Sequence, residues 1–236
     1  MAYDMTNSAA AGMQRPPSIF RAYDIRGVVD ETLTEEVVYQ IGRAIGSEAR
    51  DRGQSRVAVA RDGRLSGPAF IAALTRGLCA TGCDVIDIGC APTPVLYFAT
   101  HALRTGAGVV VTGSHNPPNY NGLKIVLGGQ ALAGRAIQDL RRRVEEGELH
   151  DGQGTLSAAD VIPDYIARVV GDVTLQRPLK VVVDCGNGAA GGLVPRLLRA
   201  LGAAVTELYC EIDGRFPNHH PDPSQPQNLQ ALRDAV

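Results

Sequence analysis

Hydrophobic and polar residues alternate along the chain in blocks that predict strands and helices in turn. Thr34 is predicted to cap a helix that opens with Glu35 and Glu36, because apolar residues follow at helical spacing. Short apolar runs elsewhere predict buried strands, and amphipathic stretches between them predict helices. The predicted strands cover residues 56–60, 85–88, 108–111, 123–127, 180–183 and 204–209, and the predicted helices begin near residues 35, 68, 93, 135, 165 and 193.

This order of elements predicts an α/β protein. Repeated strand–helix–strand units favour a mixed, mainly parallel sheet sandwiched by helices. A segment rich in Gly, Ser and Asp at residues 150–160 is typical of a boundary between domains. We therefore predict a disordered leader at residues 1–17, a first domain at residues 18–155, and a second, incomplete α/β domain of similar kind at residues 156–236.

Composition and charge exclude several classes of partner. The formal net charge of -2 and the pI near 6.2 give no broad basic field for nucleic acid or a membrane surface, so an anion must be held locally. No apolar run reaches the roughly 18 residues of a membrane span, and no signal peptide is evident, which predicts a cytoplasmic protein. The five cysteines lack CxxC pairs and are expected to be reduced, buried thiols.

The most informative segment follows the predicted strand at residues 108–111. In α/β folds the end of such a strand delivers its loop to the edge of the sheet where ligands bind, and here that loop begins with Thr112 and carries Ser114 and His115. Asn121–Gly122 predicts a turn that returns Lys124 toward the loop. Ser114, His115 and Lys124 also have ordinary interpretations, as a small turn residue, a surface imidazole and a solvated charge respectively.

The motif TGSHNPPNYNGLK at residues 112–124 resembles the active-serine signature of the α-D-phosphohexomutases. The resemblance is to the bacterial phosphomannomutase/phosphoglucomutase kind, because phosphoglucosamine mutases usually have Ala where Gly113 stands. It covers nearly everything after the leader. Further matching segments occur in the expected order at residues 19–29, 61–67, 92–99, 181–191 and 216–223.

The resemblance implies an isomerase that uses a phosphoserine. Ser114 would transfer a phosphoryl group reversibly between O1 and O6 of mannose or glucose phosphates, with a hexose 1,6-bisphosphate as intermediate and activator. His115 is then expected to relay protons and Lys124 to stabilise the transferring oxygens. The family also holds Mg²⁺ through an oxygen of the phosphoserine and an aspartate loop, and no DxDxD sequence occurs in these 236 residues. The chain is therefore expected to be an N-terminal part that is inactive alone.

Three further residues are predicted to bind the substrate. Tyr23 and Arg26 are assigned to the cleft by the resemblance, and Arg64 is assigned because it follows a parallel strand at the same sheet edge as Ser114. Two structural alternatives remain open at this point. Asp24 would form a surface salt bridge with a neighbouring arginine, and Ser66 would cap the following helix.

Two other functions remain as alternatives. Gly186, Gly188 and Gly191 follow a predicted strand in the GxGxxG pattern of dinucleotide-binding folds, with Glu207 or Glu211 near the position of a ribose-binding acid. This pattern would suit an NAD-dependent oxidoreductase. The chain would otherwise be a non-catalytic phosphosugar-binding or interaction module.

Overall fold

Seven strands of this α/β protein form one mixed sheet in a computed structural model that describes residues 19–236. The predicted leader lies outside the described residues. The strands are β1 (Ile25–Val28), β2 (Arg56–Arg61), β3 (Asp84–Cys90), β4 (Ala107–Val111), β5 (Tyr120–Leu127), β6 (Gln130–Ala131) and β7 (Leu156–Ala158). The path through the sheet is β1-β5-β4-β2-β3-β7, with the short β6 paired to β5.

The direction of the strands agrees with the predicted mixed sheet. β4, β2, β3 and β7 are parallel to one another, whereas β5 is antiparallel to β4 and β1 is antiparallel to β5. β7 joins the first sheet, so this sheet runs past residue 155 to Ala158. The helices are α1 (Glu35–Asp51), α2 (Gly67–Cys79), α3 (Thr93–Ala102), α4 (Arg135–Glu146) and α5 (Ile162–Asp172).

Helices cover both faces of the sheet because its strands are apolar on both sides. β4 is buried at every position, as expected for a central strand between two helical layers. One core cluster joins β2, β4 and β5 to α1, α2 and α4, with Ile41, Leu74 and Leu140 among its buried members. The opposite cluster joins β2 and β4 to α3, and includes Val95 and Leu96.

A second, smaller unit follows α5. Its strands β8 (Lys180–Asp184) and β9 (Ala204–Leu208) are parallel, and they are joined through a 3₁₀ turn at Ala189–Gly192 and helix α6 (Val194–Ala200). The described chain closes with a 3₁₀ turn at Pro226–Leu229 and helix α7 (Gln230–Ala235).

The predicted cap of α1 is confirmed. The Oγ1 of Thr34 accepts a hydrogen bond from the backbone N–H of Val37 at 3.3 Å, and Glu35 and Glu36 lie in the first turn. This arrangement satisfies a free N–H group and complements the positive end of the helix dipole.

The predicted turn at Asn121–Gly122 is wrong. Both residues lie inside β5 and pair with β1, with Gly122 opposite Arg26. A Cβ atom on Gly122 would collide with the backbone oxygen of Ile25 and lie 3.2 Å from the Cα of Arg26. The glycine is therefore needed because β1 and β5 approach closely at this point. The dipeptide Asn-Gly alone does not show whether the glycine permits a tight turn or such a close approach.

Within the described part of the chain, no helix is both long enough and apolar enough to cross a membrane.

Candidate active site

Two parallel strands bring the main loops of the site together. β2 and β4 are neighbours, and Arg61 at the end of β2 lies opposite Val111 at the end of β4. The loops that follow them must therefore meet at the same edge of the sheet. We call residues 62–66 the arginine loop and residues 112–119 the serine loop, after Arg64 and Ser114.

Ser114 is held in an unusual backbone conformation. Its φ of 52° lies in the left-handed region, where a non-glycine residue is strained by about 1 kcal/mol or more. Its N–H donates to the Oγ1 of Thr112 at 3.0 Å, and the side-chain amide of Asn116 donates to the Gly113 oxygen at 3.0 Å. The side chain of Ser114 is partly exposed and faces a cleft. Its hydroxyl is therefore accessible, while hydrogen bonds hold the strained backbone that carries it.

Arg64 supports the serine loop from beneath. It is 1% exposed, and its Nε–H donates to the Oδ2 of Asp62 at 3.2 Å. A guanidinium carries five N–H groups. The other four donate to backbone oxygens of the serine loop and of the first residue of β5. These oxygens belong to Ser114, Asn116, Pro117 and Tyr120, at 3.0, 2.6, 2.6 and 3.0 Å.

Arg64 was predicted to bind the substrate, but here it binds the protein itself. All of its N–H groups are engaged by the protein, so in this conformation none is left to bind a phosphosugar. The pKa of the Arg64 guanidinium is lowered, mainly by burial and further by the nearby charge of Arg26. The carboxylate of Asp62 raises it, and arginine stays charged.

Asp62 joins the two loops, and sequence reasoning missed it. Its Oδ2 accepts from the hydroxyl of Thr112 at 2.8 Å and from the N–H of Gly113 at 3.1 Å, in addition to Arg64. Its Oδ1 accepts from the backbone N–H of Arg64 at 3.0 Å. The pattern RDGR after a buried strand is the only sequence feature that would have pointed to this residue.

Ser66 does not cap α2. No side-chain capping bond forms at Ser66, and its hydroxyl instead accepts from the side-chain amide of Asn121 at 2.8 Å. The alternative interpretation of Ser66 as a helix cap is therefore wrong. Asn121 is fully buried, so this bond ties the arginine loop to the start of β5.

Gly113 provides the space that Arg64 occupies, which leads to a prediction for Gly113→Ala. A Cβ atom there would overlap the Nε and Cζ atoms of Arg64 and lie 2.8 Å from its Nη2. Since Arg64 is fixed by its hydrogen bonds, we expect the free energy of unfolding to fall by about 1–3 kcal/mol. Urea denaturation followed by circular dichroism measures this change.

Gly171→Ala is the matched control. Gly171 lies in α5 with no atom within 4 Å of an added Cβ, so alanine is expected to leave stability unchanged or to raise it slightly. Equal stability of the Gly113→Ala and parent proteins would contradict the described packing of Arg64 under the serine loop.

Ser114 and His115 face a cleft of about 490 Å³ whose walls come from both units. The first unit contributes the arginine loop, the serine loop and the start of α3. The second unit contributes the segment after β8 and the loop near His219. The lining residues that bear most directly on chemistry are Asp62, Thr112, Ser114, His115, Asp184 and His219.

Tyr23, Arg26 and Lys124 form a cluster of their own. Asp24 is 2% exposed, its Oδ2 is hydrogen-bonded to the Nη2 of Arg26, and it lies 3.8 Å from the Nζ of Lys124. The Nζ of Lys124 lies 5.3 Å from the centre of the Tyr23 ring, and Tyr23 is 62% exposed. Two cations thus share one carboxylate. The expected surface salt bridge of Asp24 is instead buried, and none of these side chains lines the cleft.

An imidazole and a carboxylate pair on the opposite wall of the cleft. The Nε2 of His219 lies 2.9 Å from the Oδ2 of Asp184, which ends β8, and its Nδ1 lies 2.9 Å from the backbone oxygen of His220. Asp184 also accepts from the N–H of Gly186 at 2.8 Å. Sequence analysis missed this pair because the two residues are 35 positions apart.

The glycines of the GxGxxG pattern have packing roles. A Cβ on Gly191 would collide with the backbone oxygen of Cys210, and one on Gly186 would lie 3.1 Å from the Cε1 of His219. Cys185, between β8 and Gly186, also lines the cleft, and burial raises the pKa of its thiol to about 12. The Gly-rich turn is therefore explained without a dinucleotide.

The described residues do not form a complete metal site. Within residues 19–236, no group of three or more His, Cys, Asp or Glu side chains is arranged to hold a metal ion. Mg²⁺ prefers six oxygen ligands in octahedral geometry. Ser114, the predicted ligand, supplies at most part of such a set.

Comparison with known proteins identifies the family. The sequence profile described as phosphoglucomutase/phosphomannomutase, alpha/beta/alpha domain I, matches residues 17–151, and the profile for domain II matches residues 163–236. A phosphomannomutase/phosphoglucomutase of Pseudomonas aeruginosa is 55% identical over 225 residues, which are 95% of this chain and 49% of that protein. A phosphoglucomutase of Neisseria meningitidis is 50% identical over 220 residues, or 92% of this chain and 48% of that protein.

A solved structure supports the same assignment. The crystal structure of a phosphoglucomutase/phosphomannomutase family protein from Burkholderia thailandensis superposes with a TM-score of 0.90 at 52% identity, covering 92% of this chain and 49% of that one. The chain thus spans about half the length of the relatives it matches. On the match of both profiles and of the fold, the chain belongs to the phosphoglucomutase/phosphomannomutase family.

Proposed function

We propose that the protein containing this chain is a phosphomannomutase/phosphoglucomutase that carries a phosphoryl group on Ser114. The Oγ of Ser114 gives its phosphoryl group to O6 or O1 of a hexose 1- or 6-phosphate and regains its proton from that hydroxyl. The product is a hexose 1,6-bisphosphate. The other phosphoryl group of this intermediate then returns to Ser114, and the isomeric hexose phosphate leaves.

The observation that carries this proposal is the rigid presentation of Ser114. The hydroxyl lies in a cleft, at the end of a buried strand, on a loop whose backbone oxygens are fixed by Arg64. Phosphoryl transfer depends mainly on positioning and on electrostatic stabilisation, so a fixed nucleophile is the principal requirement. Strained backbone of this kind is concentrated at active sites and ligand clamps, which favours a functional role for Ser114 at the cleft over a purely structural turn.

Charge is the second requirement. Phosphoserine carries about -1.5 to -2 charges and the substrate is another dianion, so cations must bring them together. Arg26 and Lys124 are the proposed source. They outnumber their single carboxylate partner Asp24. They lie on β1 and β5, of which β5 pairs with the strand that carries the serine loop, although outside the lining of the described cleft. Tyr23 is proposed to bind the sugar, and His115, exposed beside Ser114, is proposed to move the hydroxyl proton.

The remaining assignments extend this proposal. Mg²⁺ is the proposed cofactor, and when bound it would neutralise charge on the transferring phosphoryl group. Phosphorylated Ser114 would be one ligand, and the other ligands would come from outside residues 19–236. Mannose or glucose 1- and 6-phosphates are the proposed substrates, in the cytoplasm. The two domains are proposed to meet after Ala158 rather than at residue 155, because β7 pairs with β3 in the first sheet.

An activity assay tests this function. The full-length protein that contains this chain is expected to interconvert hexose 1- and 6-phosphates, at a rate that rises when a hexose 1,6-bisphosphate is added. Phosphorus NMR follows both isomers directly. Saturable binding of a hexose phosphate without interconversion would instead establish a phosphosugar-binding module. Saturable binding of NAD by the folded protein, with no hexose phosphate turnover, would favour the oxidoreductase alternative.

A further inference from the structure

A loop of the second unit packs directly on the arginine loop. We call residues 212–216 the covering loop. A Cβ atom on Gly214 would lie 2.6 Å from the backbone oxygen of Gly63 and 2.9 Å from the Cα of Arg64, so the two backbones are in close contact. A Cβ atom on Gly63 would in turn collide with the side chain of Ile212. Only glycines permit this approach between the units.

The covering loop places an aromatic ring over Arg64. The centre of the Phe216 ring lies 5.2 Å from the Cζ of Arg64, within the range of a cation–π contact. The N–H groups of the guanidinium reach Asp62, the serine loop and Tyr120, and the ring is an additional, aromatic contact of the same group. Phe216 has a φ of 51°, a conformation that the surrounding loop must hold against strain.

The contact links the second unit to the serine through one side chain. Arg64 fixes the backbone of Ser114 and of its neighbours, and its hydrogen bonds are strong only where water is kept away from them. Phe216 lines the same cleft as Ser114 and contacts Arg64, which is 1% exposed, so its ring contributes to the burial of the guanidinium on the side of the covering loop. If Phe216 loses its ring, water reaches the guanidinium and competes for the loop oxygens.

We propose that Phe216 is a positioning residue that holds the serine loop through Arg64. It makes the second unit part of the apparatus that orients Ser114, although no residue of the covering loop touches the serine hydroxyl in a hydrogen bond. The importance of this role for phosphoryl transfer rests on the function proposed above, whereas the coupling itself does not.

Hydrogen exchange measured by NMR on this chain tests the coupling without any assay of activity. The two readouts are the Nε–H of Arg64 and the backbone N–H of Ser114, which donate to Asp62 and Thr112 respectively. In Phe216→Leu, which keeps apolar bulk but removes the ring, we expect both groups to exchange about tenfold faster. Phe216→Tyr, which keeps the ring, is expected to restore slow exchange.

Phe98→Leu is the matched control. Phe98 on α3 forms an edge-to-face contact with Tyr165 on α5 at 5.5 Å, a contact between aromatic rings that does not involve Arg64. This variant is expected to leave both exchange rates within about twofold of the parent. Unchanged exchange in Phe216→Leu would overturn the proposal, and so would equal acceleration in Phe98→Leu, because the effect would then be general loosening. Absence of phosphate from Ser114 would overturn the proposed function and leave this coupling intact.

Discussion

Ser114→Ala is expected to abolish hexose phosphate interconversion by the full-length protein, with a loss of at least about three orders of magnitude in kcat/KM. The reason is chemical, because alanine has no oxygen to carry the phosphoryl group and Ser114 is the only serine among residues 19–236 that lines the cleft. Alanine and serine both carry a Cβ, so the strained backbone at φ 52° is changed little. The rate is measured in the presence of a hexose 1,6-bisphosphate, after removal of contaminating mutase.

Stability separates this effect from misfolding. The free energy of unfolding of Ser114→Ala is expected to stay within about 0.5 kcal/mol of the parent value. Ser157→Ala, on β7 and away from the cleft lining, is the control and is expected to keep full activity. Activity of Ser114→Ala near the parent level would show that Ser114 does not carry the phosphoryl group.

Arg64→Met is expected to cause the largest loss of stability, about 3–5 kcal/mol in the free energy of unfolding. Methionine has similar length but no donors, so it leaves Asp62 as a carboxylate without its cation and removes the Arg64 donors of four backbone oxygens. Of these oxygens, that of Pro117 keeps a bond from the N–H of Tyr120. Asp62 keeps its bonds from Thr112 and Gly113, which limits the loss. Chemical denaturation followed by circular dichroism measures the change.

The matched control is Arg168→Met. Arg168 forms an exposed pair with Asp172 one helical turn away on α5, and such pairs contribute little. We expect the control to change stability by less than about 0.5 kcal/mol. If Arg64→Met were as stable as this control, the hydrogen bonds from Arg64 to the serine loop would not be formed in solution.

Sequence patterns predicted the elements well because periodicity reports burial. The Thr34 cap, the buried run of β4 and the helix α4 at Arg135–Glu146 all follow from local spacing, which the structure retains. The turn predicted at Asn121–Gly122 was wrong for a physical reason. The same dipeptide suits a tight turn and a strand whose neighbour approaches too closely for a side chain, and only the β1 pairing decides between them.

The site was predicted less completely, because its geometry depends on contacts between distant segments. The carboxyl ends of β2 and β4 were expected at one edge, and they lie there. Local sequence does not determine whether a charged side chain faces the cleft or the interior. Arg64 faces the interior, where its partners lie 50–56 positions away, and Phe216 reaches it from the second unit.

The central claim is that Ser114 itself carries the phosphoryl group, and mass spectrometry of the phosphorylated peptide tests it most directly. The full-length protein is incubated with a hexose 1,6-bisphosphate, digested, and its peptides are sequenced by fragmentation. We predict phosphate on Ser114 at high occupancy and none at this position in the Ser114→Ala variant. Phosphate found only at another residue, or none on Ser114 in a preparation that interconverts hexose phosphates, would contradict it.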